Sequence, residues 1–300
     1  MQETKGQWAV RQARMASDNG VLAITFVVFL LVTSGYFLVS SIMALHETTP
    51  WPSVGEYIAA IIGAGIGGVI VFAVLLGLGM FMVRMHRQTV LGNSLQVEYS
   101  DYAWLRDWAN IVAADLEMPR VEVFVTQNPV MNAYAMGFAR PYIIVLNSGS
   151  IRYLSEEELK VIVLHEMAHI KYKHTDALVF LSPLLSLPVI NLVGTWIAGF
   201  WQRRTELTSD RLALLYCGDS ELVKRALISI HVGPDVVDAM NETARQWLQY
   251  NAERPMNRFA QTLSSHPFLV RRLSHIDRWK SMVELPAANV APEAAPPAGQ

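Results

Sequence analysis

The 300-residue chain is 52% hydrophobic and only 17% charged, with a positive mean hydropathy. An ordinary soluble domain is roughly 25% charged, so part of this chain is expected to sit in a lipid bilayer. A formal net charge of -2 leaves no global basic field to call for nucleic acid, and the single cysteine, Cys217, excludes a disulfide framework or thiolate metal cluster within the chain.

Residues 1–20 form a polar N-terminal segment with Lys5, Arg11 and Arg14. Val21 to Leu45 follows, 25 residues without a charge, where about 20 suffice to cross a bilayer. A cleaved signal peptide has a shorter apolar core and a small-residue exit, so a retained helix is expected. The loop "HETTPWPSVGE" has no Lys or Arg. Tyr57 to Val83 is then 27 uncharged residues, ending at Arg84 and Arg87. Residues 21–85 therefore read as a transmembrane helical hairpin. Its basic flanks place the N-terminus and everything after Arg84 in the cytoplasm, at an inner or plasma membrane. "GAGIGG" in the second run formally matches a dinucleotide fingerprint, but no strand precedes it and no acid follows until Glu98. Close helix packing through Gly63 and Gly67 is the better reading.

From about residue 95 to 284 the composition is globular. "DYAWLRDWANIVAADLEM" has a helical apolar period. "VEVFVTQ" reads as a strand, and a second strand, a turn near Arg140-Pro141 and a third strand at Tyr142 to Leu146 follow. "SEEELKVIVLHEMAHIKYKH" begins as a capped helix, with Ser155 as N-cap and Glu158 completing a capping box. Ala177 to Trp201 is a third apolar run. "RRTELTSDRLALLYCGD" and "SELVKRALISIHV" are helical, and "ETARQWLQYNAERPMNRFAQ" reads as helix and then loop. The Pro/Ala-rich residues 285–300 read as a disordered tail.

His165-Glu-Met-Ala-His169 lies inside the capped helix. Residues i and i+4 share a helix face, so both imidazoles can aim at one point, as zinc requires. Glu166 is turned roughly 100° around the helix, where it can reach a water without competing as a ligand. The neighbours from Val161 to Ile170 are mostly apolar, and polar groups in so buried a helix need partners. The long three-histidine version of this motif needs Gly at 172 and His at 175. Tyr172 and Thr175 stand there, so that class is excluded and His174 is expected to be an exposed helix-end residue. A third ligand must come from downstream, from Asp176, Glu206, Asp210, Asp219 or Glu221. Glu206 and Asp210 share a helix face, where Glu206 can bind metal and Asp210 can accept the other N–H of a ligand histidine. On spacing alone, a solvated acidic face is the alternative.

"NAYAMG", "VLHEMAHIKYKH", "RRTELTSDRLAL" and "SHPFLVRRL" come in this order after the hairpin. The set resembles the integral-membrane metallopeptidases of the HtpX and CAAX-prenyl-protease group, over about residues 20–280. The resemblance implies a mainly α fold with a small β-sheet, an α+β zincin-like metallopeptidase domain behind a transmembrane hairpin. It implies one zinc on His165, His169 and Glu206, with Glu166 as catalytic base and Asp210 orienting a ligand histidine. It further implies a substrate-binding edge strand at Asn132, Ala133, Tyr134 and Ala135, His266 near the site as a catalytic helper, and Arg272 as a structural or substrate-binding partner. The activity implied is zinc-dependent hydrolysis of misfolded or damaged membrane proteins. An inactive membrane sensor or scaffold of the same fold, or CAAX-type processing, are the rivals.

One interval departs from the group: only 37 residues separate His169 from Glu206, where two membrane helices often fit. Two crossings need about 40 residues, and one crossing would part the ligands. The run 177–201 is therefore expected to be a re-entrant or membrane-surface helical hairpin, broken near Pro183, Pro188, Asn191 and Gly194.

Overall fold

The computed structural model describes residues 3–15, 18–185, 188–237, 239–264 and 266–283. The 285–300 tail lies outside the described residues. The architecture is mainly helical with one four-stranded sheet. Helices α1 (Lys5–Ala13), α2 (Asp18–Thr48) and α3 (Val54–Asn93) come first, and strand β1 (Leu95–Gln96) leads to α4 (Ala103–Asp115). Strands β2 (Val121–Thr126), β3 (Ala133–Met136) and β4 (Tyr142–Asn147) complete the sheet. Then come α5 (Ser148–Tyr153), α6 (Glu156–Lys171), α7 (His174–Leu185), α8 (Pro188–Cys217), α9 (Ser220–Val232), α10 (Pro234–Val237), α11 (Glu242–Glu253), α12 (Pro255–Thr262) and α13 (Leu269–Lys280).

The strand order is β1-β2-β4-β3, with β2 and β4 parallel and the outer pairs antiparallel. Strand β4 is buried on both faces. Ile144 and Leu146 join the main core with α6, while Ile143 and Val145 pack with Phe124 and Val90 of α3. Burial on both faces explains the unbroken apolar run Ile143–Leu146. β3 is left as a free edge and lies against α6.

Among the described residues, α3 alone is long and apolar enough to cross a membrane. It packs against α2, and its far end reaches the sheet, where Arg87 Nη2 donates to the Pro141 carbonyl at 2.8 Å. Among the described residues, the expected contact through Gly63 and Gly67 is not found. Nothing described lies within 4 Å of a Cβ built at either, whereas Gly68 meets the Phe37 ring of α2 at 3.6 Å.

α6 carries the capping box read from the sequence: Ser155 Oγ accepts from Glu158 N–H, and Glu158 reaches back to Ser155 N–H. Buried Glu158 also accepts from Ser229 of α9 at 2.6 Å, which ties the start of this helix to the core. Glu158→Ala should therefore cost more than an exposed cap. About 2 kcal/mol is expected, read as a drop in thermal unfolding temperature without loss of helix content.

Two departures follow from local chain chemistry. The segment after α11 is a second helix rather than a loop, since Pro255 opens α12 at a position where its missing N–H costs nothing. The apolar run 177–201 falls on α7 and α8, which pack against each other. Residues 186 and 187 between them lie outside the described residues.

Candidate active site

Two helices build the site. α6 supplies His165, Glu166 and His169, and α8 crosses it to supply Glu206 and Asp210. His165 Nε2 and His169 Nε2 converge to 3.2 Å. The Glu206 carboxylate stands 3.4 Å from the first and 3.5 Å from the second. The three donor atoms all lie within 4.8 Å of one another. Two imidazole nitrogens and one carboxylate, nearly buried and aimed at one point, fit a single zinc with one position left open. Asp176, Asp219 and Glu221 are not brought to this cluster. Asp219 instead caps α9.

Around this cluster lies a second set of charges. Asp210 Oδ1 is 3.0 Å from His165 Nδ1, on the ring nitrogen away from the cluster. Arg272 of α13 donates to both Asp210 oxygens, at 2.8 and 2.6 Å, and its Nη1 lies 3.3 Å from Glu206. Arg272 is 4% exposed. Its guanidinium is engaged by these two carboxylates, in keeping with the structural one of its two expected roles. His266 lies on the open side, its Nδ1 3.2 Å from Glu206 Oε1.

In the expected edge segment, one backbone position is already engaged. Asn132 N–H donates to Ser150 Oγ, and its carbonyl accepts from Asn147 N–H and Ser150 Oγ. Its backbone is therefore not free to pair with a peptide. Tyr134 packs its ring on His86 of α3, with centroids 6.3 Å apart. Ala133 and Ala135 pack against the core on the α6 side. A cavity of about 230 Å³ borders β3 between α3 and α7.

His174 is the residue the sequence misplaced. It is 4% exposed, and its Nδ1 meets His169 Nδ1 at 3.2 Å, with Tyr172 stacked beside it and Trp201 edge-on. A continuous helix would carry it to another face. Lys173 instead adopts φ 59°, a left-handed turn uncommon for residues other than glycine, and folds His174 back onto His169. Neither Gly nor Asn marks that turn, which is why it could not be foreseen.

The acidities follow from burial and these neighbours. Burial alone would lower His165, but Asp210 and Glu206 outweigh it and push it up to about 10. Burial lowers His169 to about 4 and His174 to about 2, the latter helped by His169. Burial raises Glu166 to about 7, against the opposing charge of His165. Burial would raise Glu206 and Asp210, yet Arg272 and His165 hold Glu206 well below the usual range and Asp210 at about 2. In protein stripped of metal, His165 then carries a proton at neutral pH and His169 does not. A ligand histidine must give its proton up, so zinc uptake should release about one proton and tighten as pH rises toward 10. Calorimetry in buffers of different ionisation enthalpy checks this, and proton-neutral uptake at pH 7 would refute it.

A model of peptidase family M48 matches residues 100–200 and 189–280. The plastoglobule-localized metallopeptidase 48 of Arabidopsis thaliana is 31% identical over 214 residues, 65% of this chain and 62% of that protein. A protease HtpX homolog of Methylibium petroleiphilum is 30% identical over 152 residues, 50% of this chain and 53% of its own length. Another, from Persephonella marina, is 27% identical over 114 residues, 37% and 40% respectively. The chain thus spans between 40% and 62% of the lengths of these relatives. The crystal structure of S. mikatae Ste24p superposes with a TM-score of 0.46 at 16% identity, covering 85% of this chain and 66% of that one.

Proposed function

Because the chain belongs to peptidase family M48, we propose that it is a membrane-anchored, zinc-dependent endopeptidase that cuts misfolded or damaged membrane proteins at the cytoplasmic face. The observation that carries this reading is the convergence of His165, His169 and Glu206 on one point, with buried Glu166 on the same helix. The anchor is the α2–α3 hairpin, supported by the length and apolarity of α3 and by the basic residues flanking the pair.

His165, His169 and Glu206 would hold the zinc, which when bound would supply Lewis acidity at the scissile peptide bond. Glu166 takes a proton from the attacking water and returns it to the leaving amine. A group raised to about 7 suits both transfers near neutral pH. Asp210 and His174 hold the rings of His165 and His169 from behind, fixing which nitrogen faces the cleft. Arg272 balances Asp210 and Glu206 so that both stay charged inside the protein. The free edge at Ala133–Met136 adds an extended peptide as a further strand, beside α6, which carries the base. His266 is the exposed polar group nearest Glu206 and faces the peptide from the opposite side.

The test is metal content and casein hydrolysis on the full chain in detergent. About one zinc per chain is expected, with hydrolysis lost to a chelator and restored by zinc. Zinc bound without hydrolysis of any unfolded substrate would instead favour the sensor or scaffold.

A further inference from the structure

A cleft of about 900 Å³ lies away from the zinc ligands, between α8, α11, α12 and α13. Five arginines line it, Arg203, Arg204, Arg258, Arg271 and Arg278, against one acid, Glu253. Two of the five are structural. Arg203 donates to the carbonyls of Thr262 and Ser264 at 3.0 and 2.5 Å, and Arg204 pairs with Asp18 at 3.1 Å. Arg258, Arg271 and Arg278 are exposed, and no carboxylate pairs with them among the described residues. A concave surface with three uncommitted guanidinium groups calls for an anionic ligand.

The outward faces of the same helices α11 and α12 indicate which one. Met256, Phe259 and Leu263 recur on one face of α12 and its end, and Trp247 and Tyr250 stack on α11 with centroids 5.6 Å apart. These five side chains are 43–75% exposed. Apolar stripes on two short helices, turned outward beside arginines, are the pattern of elements that lie in a membrane interface. The apolar stretch of α8 runs directly into the cleft, where half-exposed Phe200 lines it. Membrane anchoring puts that stretch at the bilayer and the cleft at headgroup height. An acidic peptide would account for the arginines but not for the exposed Trp247, Met256 and Phe259.

We propose that this cleft binds the phosphate headgroup of an anionic membrane phospholipid, with α11 and α12 resting in the interface. The inference rests on the membrane reading above, and the two fail separately. Alkali extraction of membranes tests the anchoring alone. The site is tested on the full chain in detergent by native mass spectrometry with dihexanoyl phosphatidylglycerol against dihexanoyl phosphatidylcholine. The phosphatidylglycerol is expected to bind about tenfold more tightly. That preference should collapse when Arg258→Gln, Arg271→Gln and Arg278→Gln are combined, with zinc content unchanged. Equal binding of the two lipids, or a preference that survives the triple change, would overturn the site even if the chain resists alkali. Displacement of the lipid by a poly-glutamate peptide of tighter affinity would overturn it in favour of a peptide groove. Should the triple variant not fold, the unaltered chain still decides. A headgroup preference must weaken from low to high salt, and a salt-independent one refutes the site. A chain stripped by alkali that keeps the preference loses its anchor and keeps the site.

Discussion

Glu166→Gln should leave zinc content unchanged and lower peptide hydrolysis by about 10²–10⁴-fold. Glutamine keeps the volume of the side chain but cannot accept the water's proton. It should also fold normally, because Glu166 is not among the groups that hold the zinc ligands together. The pH profile gives a second reading of the same group. Burial raises Glu166 to about 7, and it acts as base only when charged, so hydrolysis falls on the acid side. Bound zinc adds positive charge and moves that limb below 7. Hydrolysis that persists in Glu166→Gln at near the native rate would remove Glu166 from the reaction.

Arg272→Met should be the most damaging single change to stability in the domain. It leaves the Asp210 and Glu206 carboxylates, both nearly inaccessible, without their chief cation. Removing one partner of a buried ion pair costs about 3–5 kcal/mol. Zinc supplies part of the missing charge, so the loss should be larger in stripped protein than in loaded protein. The native protein should also show an acid limb in stability. Asp210 sits at about 2, below its unfolded value of about 3.9. It therefore contributes stability that is present above pH 4 and lost as pH falls toward 2. In Arg272→Met that limb should flatten. Equal unfolding temperatures for the two proteins, with and without zinc, would show that Arg272 is dispensable.

What could be read from the sequence was local chemistry. Ser155 with Glu158 announces the start of α6, and the spacing of His165 and His169 announces their shared face, because both depend on helix geometry alone. The strands at 121–126 and 142–147 were visible from β-branched runs. The third ligand was not. Five downstream acids were candidates, spacing marked only Glu206 and Asp210 as sharing a face, and the family resemblance singled out Glu206 as the ligand. Its meeting with His169 depends on α8 crossing α6, a tertiary fact. His174 was lost to a turn at Lys173 that carries none of the usual turn residues. Arg272 stayed open between a structural and a substrate-binding partner because its own partner Asp210 lies 62 positions away. The glycines of α3 misled for a similar reason: a small-residue pattern tells which helix faces can approach a neighbour, and only the packing of α2 tells which one does.

α3 runs unbroken from its apolar stretch to Asn93, and β1 starts at Leu95. The ten residues from Arg84 to Asn93 extend about 15 Å at 1.5 Å per residue. No flexible tether separates a membrane-seated α3 from the sheet, which takes part of its back face from that same helix. The zinc ligands are then mounted on a stiff post of fixed height. If the chain is the anchored peptidase proposed above, it does not sweep through the surrounding solution. On the proposed anchoring and activity, it would work in a thin layer parallel to the bilayer, and a polypeptide would become a substrate by how far from the lipid it comes loose as much as by its sequence.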